Sequence, residues 1–209
     1  MRNLFLSAVL TSASLFGLAA QAEGIQAGKQ YVELNPQVAV SLPGTIEVVE
    51  LFGYGCPACY KFEPSINPWV EKLPQDVSFR RIPAMFGGIW DAHGQLFITL
   101  ESMQVEGKVH QAVFEAIQQQ GKKLASPEEM AEFLASQGID KETFLKTYNS
   151  FGVQGQVANA KRLAMAYKVS AVPSMVVNGK YRFDVGSAGG WEQTLQVADQ
   201  LVEKERAAQ

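Results

Sequence analysis

Hydrophobic and polar positions along the chain fall into blocks of different period. IEVVELFGY is a near-continuous apolar run rich in β-branched and aromatic residues. It predicts a central strand over residues 46 to 53. VSFRRIPA alternates, so Val77, Phe79 and Arg81 share one face of a second strand. From residue 91 to about 168 the period becomes helical. SPEEMAEFLASQG carries its own helix punctuation: Ser126 as N-cap, Pro127 at the first position, Glu129 at the capping-box position and Gly138 at the end. Phe133 and Leu134 give that helix its apolar face. IDKETFLKTYNSFG, capped by Asp140, reads as another helix, as do VHQAVFEAIQQQG and NAKRLAMAYKV. A helix ends near Val169, Pro173 opens the strand SMVVN, and Asn178-Gly179 predicts a tight hairpin into KYRFDV. GGWEQTLQVADQLVEKERAAQ is a last helix with a charged end. There is no internal repeat and no low-complexity linker.

Composition agrees with a globular core, at 47% hydrophobic and 19% charged residues. Formal net charge is −3, and Lys and Arg are scattered without a basic stripe, which argues against a nucleic-acid partner. The N-terminus adds an address. Arg2, an apolar segment from Leu4 to Ala19 and the ending Ala20-Gln21-Ala22 form a secretory signal with cleavage expected after Ala22. The apolar core is short for a spanning helix, which needs about 20 residues. The mature chain then starts at Glu23 and loses Arg2, leaving 17 basic against 21 acidic residues, or −4. In a Gram-negative organism the destination is the oxidising periplasm.

In that compartment the chain's two cysteines, Cys56 and Cys59, become the central question. A structural staple is a poor reading. A loop of about four residues yields roughly 2 kcal/mol by loop-closure entropy, against about 4.7 for a loop of about 100 residues. A structural zinc site wants four ligands, and the two histidines, His93 and His110, lie far downstream with spacing unlike a finger or ribbon. His110 falls in an amphipathic helix, where a packed or solvated histidine is the simple expectation. The redox reading uses the neighbours. GYG before Cys56 allows a sharp turn, and Pro57 suits the first helical position because its missing N–H has no partner there. Cys56 then sits at a helix N-terminus, where N–H groups and the helix dipole stabilise a thiolate. Cys59 follows one turn later, less exposed. A C-P-x-C between a buried strand and a helix in an exported chain points to thiol–disulfide chemistry.

Two further sites follow from the pattern. Glu50 lies inside the central-strand run, where a carboxylate is costly unless paired and where burial raises its pKa. It is a candidate proton acceptor or donor for Cys59, or a simple partner for a buried cation such as Arg81. Pro173 is tolerated as the first residue of a strand. The sharper reading is a cis Val172–Pro173 bond that turns the Val172 backbone toward a neighbouring site.

The order strand, CPAC helix, strand, helices, V-P, hairpin, terminal helix, together with FGYGCPACYKFEP, FGG at 86–88, AVPSMVVNGKY and a Glu six residues before the first cysteine, resembles the DsbA-type periplasmic thiol oxidases. The resemblance spans essentially the whole mature chain. It implies an α/β thioredoxin fold with a helical insertion: residues 23–90 and 152–209 as the thioredoxin-like domain and 91–151 as the inserted helical subdomain. It implies Cys56 as the attackable sulfur, Cys59 as its buried partner, Val172–Pro173 as a cis dipeptide beside them and Glu50 as the buried carboxylate. Arg81 falls where the family often has lysine. Members of this family are standard examples of a very low cysteine pKa and an oxidising disulfide. This chain departs at Ala58, where the best-known members carry histidine. Alanine cannot donate a side-chain hydrogen bond or add charge. Cys56 is therefore expected to have a higher pKa, and its disulfide to be less oxidising, than in a CPHC version.

The segment MFGGIW sets Phe86, Ile89 and Trp90 around two glycines. Either it presents apolar surface to unfolded substrates, or Phe86 and Trp90 are core anchors. The expected function is thiol–disulfide interchange, as a disulfide donor to reduced, unfolded exported proteins. The resemblance implies reoxidation by a DsbB-like membrane partner. No metal or organic cofactor is expected beyond the redox-active Cys56–Cys59 disulfide, and the chain is expected to be a monomer. A reductase or isomerase on the same fold is the first alternative, though no dimerisation domain is visible. A non-catalytic, chaperone-like binder is the second.

Overall fold

A computed structural model describes residues 24 to 208, so the signal segment, residues 1 to 22, lies outside the described residues. Five strands form one sheet in the order β1-β5-β4-β2-β3. They are β1 (Val32–Glu33), β2 (Ile46–Phe52), β3 (Val77–Pro83), β4 (Ser174–Val177) and β5 (Tyr181–Asp184). β2 pairs parallel with β3 and antiparallel with β4, while β5 pairs antiparallel with β4 and β1. All seven residues of β2 are buried. This is why its sequence is a near-continuous apolar run, broken only by Glu47 and Glu50: helices cover both faces. Alternation sends Ile46 and Val48 into one apolar cluster with Phe62, Ile66 and Leu201, and Val49 and Leu51 into the other with Leu96, Phe97 and Leu163.

The helices are α1 (Pro57–Val70), α2 (Ile89–Ser102), α3 (Glu106–Gln118), α4 (Pro127–Ser136), α5 (Lys141–Tyr148), α6 (Phe151–Ala166), α7 (Val185–Ala188) and α8 (Trp191–Arg206). The expected thioredoxin fold with a helical insertion is present: α2 to α6 separate β3 from β4. The limits at 90/91 and 151/152 fall in the first turns of α2 and α6. The caps act as their sequences predict, with Ser126 accepting from Glu129 N–H and Asp140 from Thr143 N–H. One detail differs. The Glu129 carboxylate accepts the N–H of Ala125, one residue beyond the cap itself. Asn178 and Gly179 both have positive φ (51° and 63°), which builds the two-residue hairpin. A side chain at Gly179 would run into the Val38 carbonyl. α1 runs through Pro64 and Pro68, each of which removes one helical N–H donor. No helix among the described residues is long and apolar enough to cross a membrane.

The glycines before Cys56 are explained by space, whereas the sequence suggested conformation. Neither Gly53 nor Gly55 has a left-handed φ. A Cβ on Gly53 would stand 2.5 Å from Trp90 Cζ3, and one on Gly55 would stand 3.4 Å from His93 Nδ1. Two side chains from α2 thus lie close against the loop that leads into α1. Gly53→Ala is expected to destabilise the fold by about 1–3 kcal/mol through overpacking. Urea denaturation measures it, and an unchanged midpoint would mean that the indole yields freely.

Candidate active site

The chain leaves β2 at Phe52, and Cys56 becomes the N-cap of α1 with Pro57 in the first turn. Cys56 Sγ accepts the N–H of Cys59 at 3.1 Å, the bond that a capping side chain makes to the orphan donors of a helix start. Both cysteines are thiols here. Their burial differs in the expected order, but Cys56 is less open than the sequence suggested, at 5% exposed against 0% for Cys59. The Val172–Pro173 bond is cis, and the Val172 carbonyl oxygen lies 3.5 Å from Cys56 Sγ, within reach of its S–H.

The two thiols are electrostatically unlike. Cys56 is lowered from an ordinary 9.0 to about 7: a hydrogen bond from Cys59 favours the thiolate, burial opposes it, and the N–H groups of Cys59 and Ala58 favour it further. Residue 58 contributes only backbone. Cys59 is pushed far up, first by burial, then by Cys56 and the nearby charge of Glu50.

Beneath the pair lies a buried charge network. Glu50 stands opposite Arg81 in the β2–β3 register. Arg81 donates from Nε to Glu50 Oε2 at 2.9 Å and from one Nη to Asn67 Oδ1 at 2.8 Å, with Glu63 Oε1 at 3.4 Å. Arg81 is therefore the cation that the strand alternation pointed to. Glu50 is nonetheless raised, because burial outweighs Arg81. Its second oxygen, Oε1, has no hydrogen-bond partner among the described residues. Glu63 goes the other way. Burial pushes it up, but His110 and Arg81 together bring it below its ordinary value.

Sequence reading missed Glu63, His110 and Tyr54. His110 is the packed histidine of the two expectations, buried against Phe114, but its polar partners were not foreseen. Its Nε2 lies 3.3 Å from Glu63 Oε2, and its Nδ1 lies 2.6 Å from Glu106 Oε1 and 3.0 Å from the Tyr54 hydroxyl. Burial lowers its pKa, yet the two carboxylates raise it overall. Only the adjacency of Glu106 and His110 at i,i+4 was visible in one dimension. His93 is elsewhere, with Nε2 2.8 Å from the Lys123 carbonyl. No cluster of three or more His, Cys, Asp or Glu side chains suited to a metal occurs among the described residues.

The MFGGIW segment divides its two readings. Phe86 is 46% exposed, and Ile89 is exposed beside it. Trp90 is half-buried against Gly53 and contacts the Phe86 ring at a centroid distance of 5.3 Å.

Residues 90–196 match the DSBA-like thioredoxin domain family. The thiol:disulfide interchange protein DsbA of Pseudomonas aeruginosa is 69% identical over 208 residues, covering 100% of this chain and 99% of that protein. The chain belongs to the DsbA-like thioredoxin family. The DsbA of Azotobacter vinelandii is 65% identical over 214 residues, with both chains covered in full. The crystal structure of Pseudomonas aeruginosa DsbA superposes with a TM-score of 0.86 at 69% identity, covering 88% of this chain and 96% of that one. DsbA from Xylella fastidiosa superposes at 0.83 with 34% identity, over 88% of this chain and 98% of that one. The likeness therefore extends across the DsbA fold, inserted helices included.

Two outcomes follow from the electrostatics. Arg81→Met leaves Glu50 and Glu63 without their guanidinium and is expected to cost on the order of 3–5 kcal/mol in urea unfolding. Arg81→Lys should lose less, keeping the charge but not the fork. The second concerns pH. The folded pKa of Cys56 is depressed, so its ionisation stabilises the dithiol form fully above 9.0 and is lost as pH falls through about 7. The stability difference between the dithiol protein and Cys56→Ser should grow across that window. A difference independent of pH would contradict a depressed thiol.

Proposed function

We propose that this protein donates disulfides to reduced, unfolded exported proteins in the periplasm through Cys56 and Cys59. Thiol:disulfide interchange is the activity that its DsbA relatives are named for, and the chain is an oxidoreductase of that family. The observation that carries the donor reading is the inequality of the two thiols. One sulfur is capped by N–H groups at the start of α1, and the other is buried and held protonated.

In the oxidised protein, a substrate thiolate attacks Cys56 Sγ. The Cys56–Cys59 bond breaks, and its electron pair goes to Cys59 sulfur, which takes up a proton. Glu50, kept protonated by burial more readily than a free carboxylate, is the proposed proton source. A second substrate thiolate then attacks the substrate sulfur of the mixed disulfide, and Cys56 leaves as the stabilised thiolate. The substrate loses two electrons and the protein gains them. The Cys56–Cys59 disulfide is the only redox group this scheme uses. The Val172 carbonyl beside Cys56, across the cis bond to Pro173, offers an extended substrate strand an acceptor. Phe86 supplies exposed apolar surface for unfolded chains, with Trp90 fixing the loop behind it. Residues 91–151 act as an insertion that supports this face. The N-terminal signal supports export, and a DsbB-like membrane protein is the proposed reoxidant of a monomeric donor.

The redox equilibrium of Cys56–Cys59 against glutathione tests the reading. The family's reference member sits at the oxidising end of the scale. The wild type is expected to be oxidising, and Ala58→His more so, since each tenfold change in the equilibrium is about 30 mV. A potential near about −270 mV, that of a reducing thioredoxin, would overturn the donor direction. Cys56→Ser should abolish exchange while leaving the fold intact.

A further inference from the structure

The loop from Gly53 to Gly55 has left the sheet and has not yet entered α1. Its own backbone supplies one tie, the Cys56 N–H to the Gly53 carbonyl at 3.0 Å. The carbonyl of the intervening residue, Tyr54, belongs to a buried residue and receives no backbone N–H among the described residues. Its partner comes from the inserted helices: the Gln118 side-chain amide, at the last position of α3, donates to the Tyr54 carbonyl at 2.7 Å. The same helix meets the Tyr54 hydroxyl through His110, and the residue after it, Gln119, donates to the Tyr60 hydroxyl on α1. The end of α3 thus grips the chain on both sides of Cys56.

We propose that Gln118 is a positioning residue for Cys56. Its amide fixes the Tyr54 peptide, and that peptide fixes where the chain enters α1 and hence where Cys56 sulfur stands relative to the helix N–H groups. The bond matters because the sulfur is held by a 3.1 Å contact to one N–H, and hydrogen bonds weaken steeply when their angle is lost. A buried carbonyl without its donor is expensive, so the loop relaxes toward any other donor it can find. The reach is specific. Gln118 is the final residue of α3, and Asn would be one methylene too short to span the same gap. The inference rests on Cys56 being the reacting thiol, but its test does not require the donor direction to be right.

Gln118 is uncharged, so replacing it with Met removes the donor without altering the titratable groups that face Cys56, namely Glu50 and the Cys59 thiol. In the full-length mature protein, the Cys56 thiolate is followed by its ultraviolet absorbance against pH. Gln118→Met is expected to titrate higher by at least about half a unit, roughly threefold in the thiolate ratio. Its glutathione equilibrium should become less oxidising by a similar factor, because a less stable thiolate makes the reduced form less favoured. Gln118→Asn should move both readouts the same way and serves if the Met variant does not fold. Gln111→Met, on the exposed side of α3, controls for effects on the helix and should move neither. Folded Gln118 variants that titrate and equilibrate as the wild type would overturn the proposal. A wild type with a lowered Cys56 titration but a reducing potential would instead overturn the donor reading and leave the positioning of Cys56 to be judged by the titration.

Discussion

A sulfur atom at the first turn of a helix is the interaction on which the rest of this structure depends. The first N–H groups of any helix lack carbonyl partners, and the aligned peptide dipoles make that end positive. Cys56 Sγ accepts one of those N–H groups. Everything around it serves that placement. β2 brings the chain to the end of the sheet, Pro57 starts the helix, and Gly53 and Gly55 leave room for Trp90 and His93 to close over the loop. The reactivity of the pair follows from position, since two identical side chains three residues apart end with opposite shifts.

The same arrangement carries an electrostatic cost. A carboxylate in the middle of the central strand would be untenable alone. Arg81, from the neighbouring parallel strand, meets it and also binds Glu63 and Asn67 of α1. One guanidinium therefore joins β2, β3 and the helix that carries the thiols. In the proposed reaction this network does more than hold the layers together. Burial raises Glu50, near Cys59, above its ordinary value, while His110 and Arg81 bring Glu63 below its own. Buried ion pairs are weak evidence for stability in themselves; here the asymmetry between the two glutamates is the feature tied to chemistry.

The inserted helices carry the redox face as much as the thioredoxin unit does. Trp90 and His93 of α2 pack on the loop before Cys56, while His110, Gln118 and Gln119 of α3 hold it from the other side. The apolar cluster that contains both cysteines also contains Phe97, Phe114 and Leu134 from the insertion. The insertion is thus part of the wall of the site, which makes its supporting contacts candidates for tuning the thiols.

Much of this was legible in one dimension, because the relevant physics is local or periodic. The cap, the proline and the cysteine spacing lie within one helical turn, so Cys56 and Cys59 could be assigned unequal places from the sequence. Strand alternation offered Arg81 as a cation for Glu50, though only the β2–β3 register set them side by side, and Asn178-Gly179 carried its own turn. The family likeness rested on the same short stretches. What the sequence could not supply were contacts whose partners are far apart in the chain. In the sequence Glu63 is one carboxylate of a helical stretch, His110 a histidine of an amphipathic helix and Gln118 the first residue of a polar run. Gly53 and Gly55 seemed to serve a turn, when the ring of Trp90 and the imidazole of His93 are what require them. Those roles come into being only when α2 and α3 fold back over the start of α1. Long-range pairing, unlike caps and periods, has no signature in neighbouring residues.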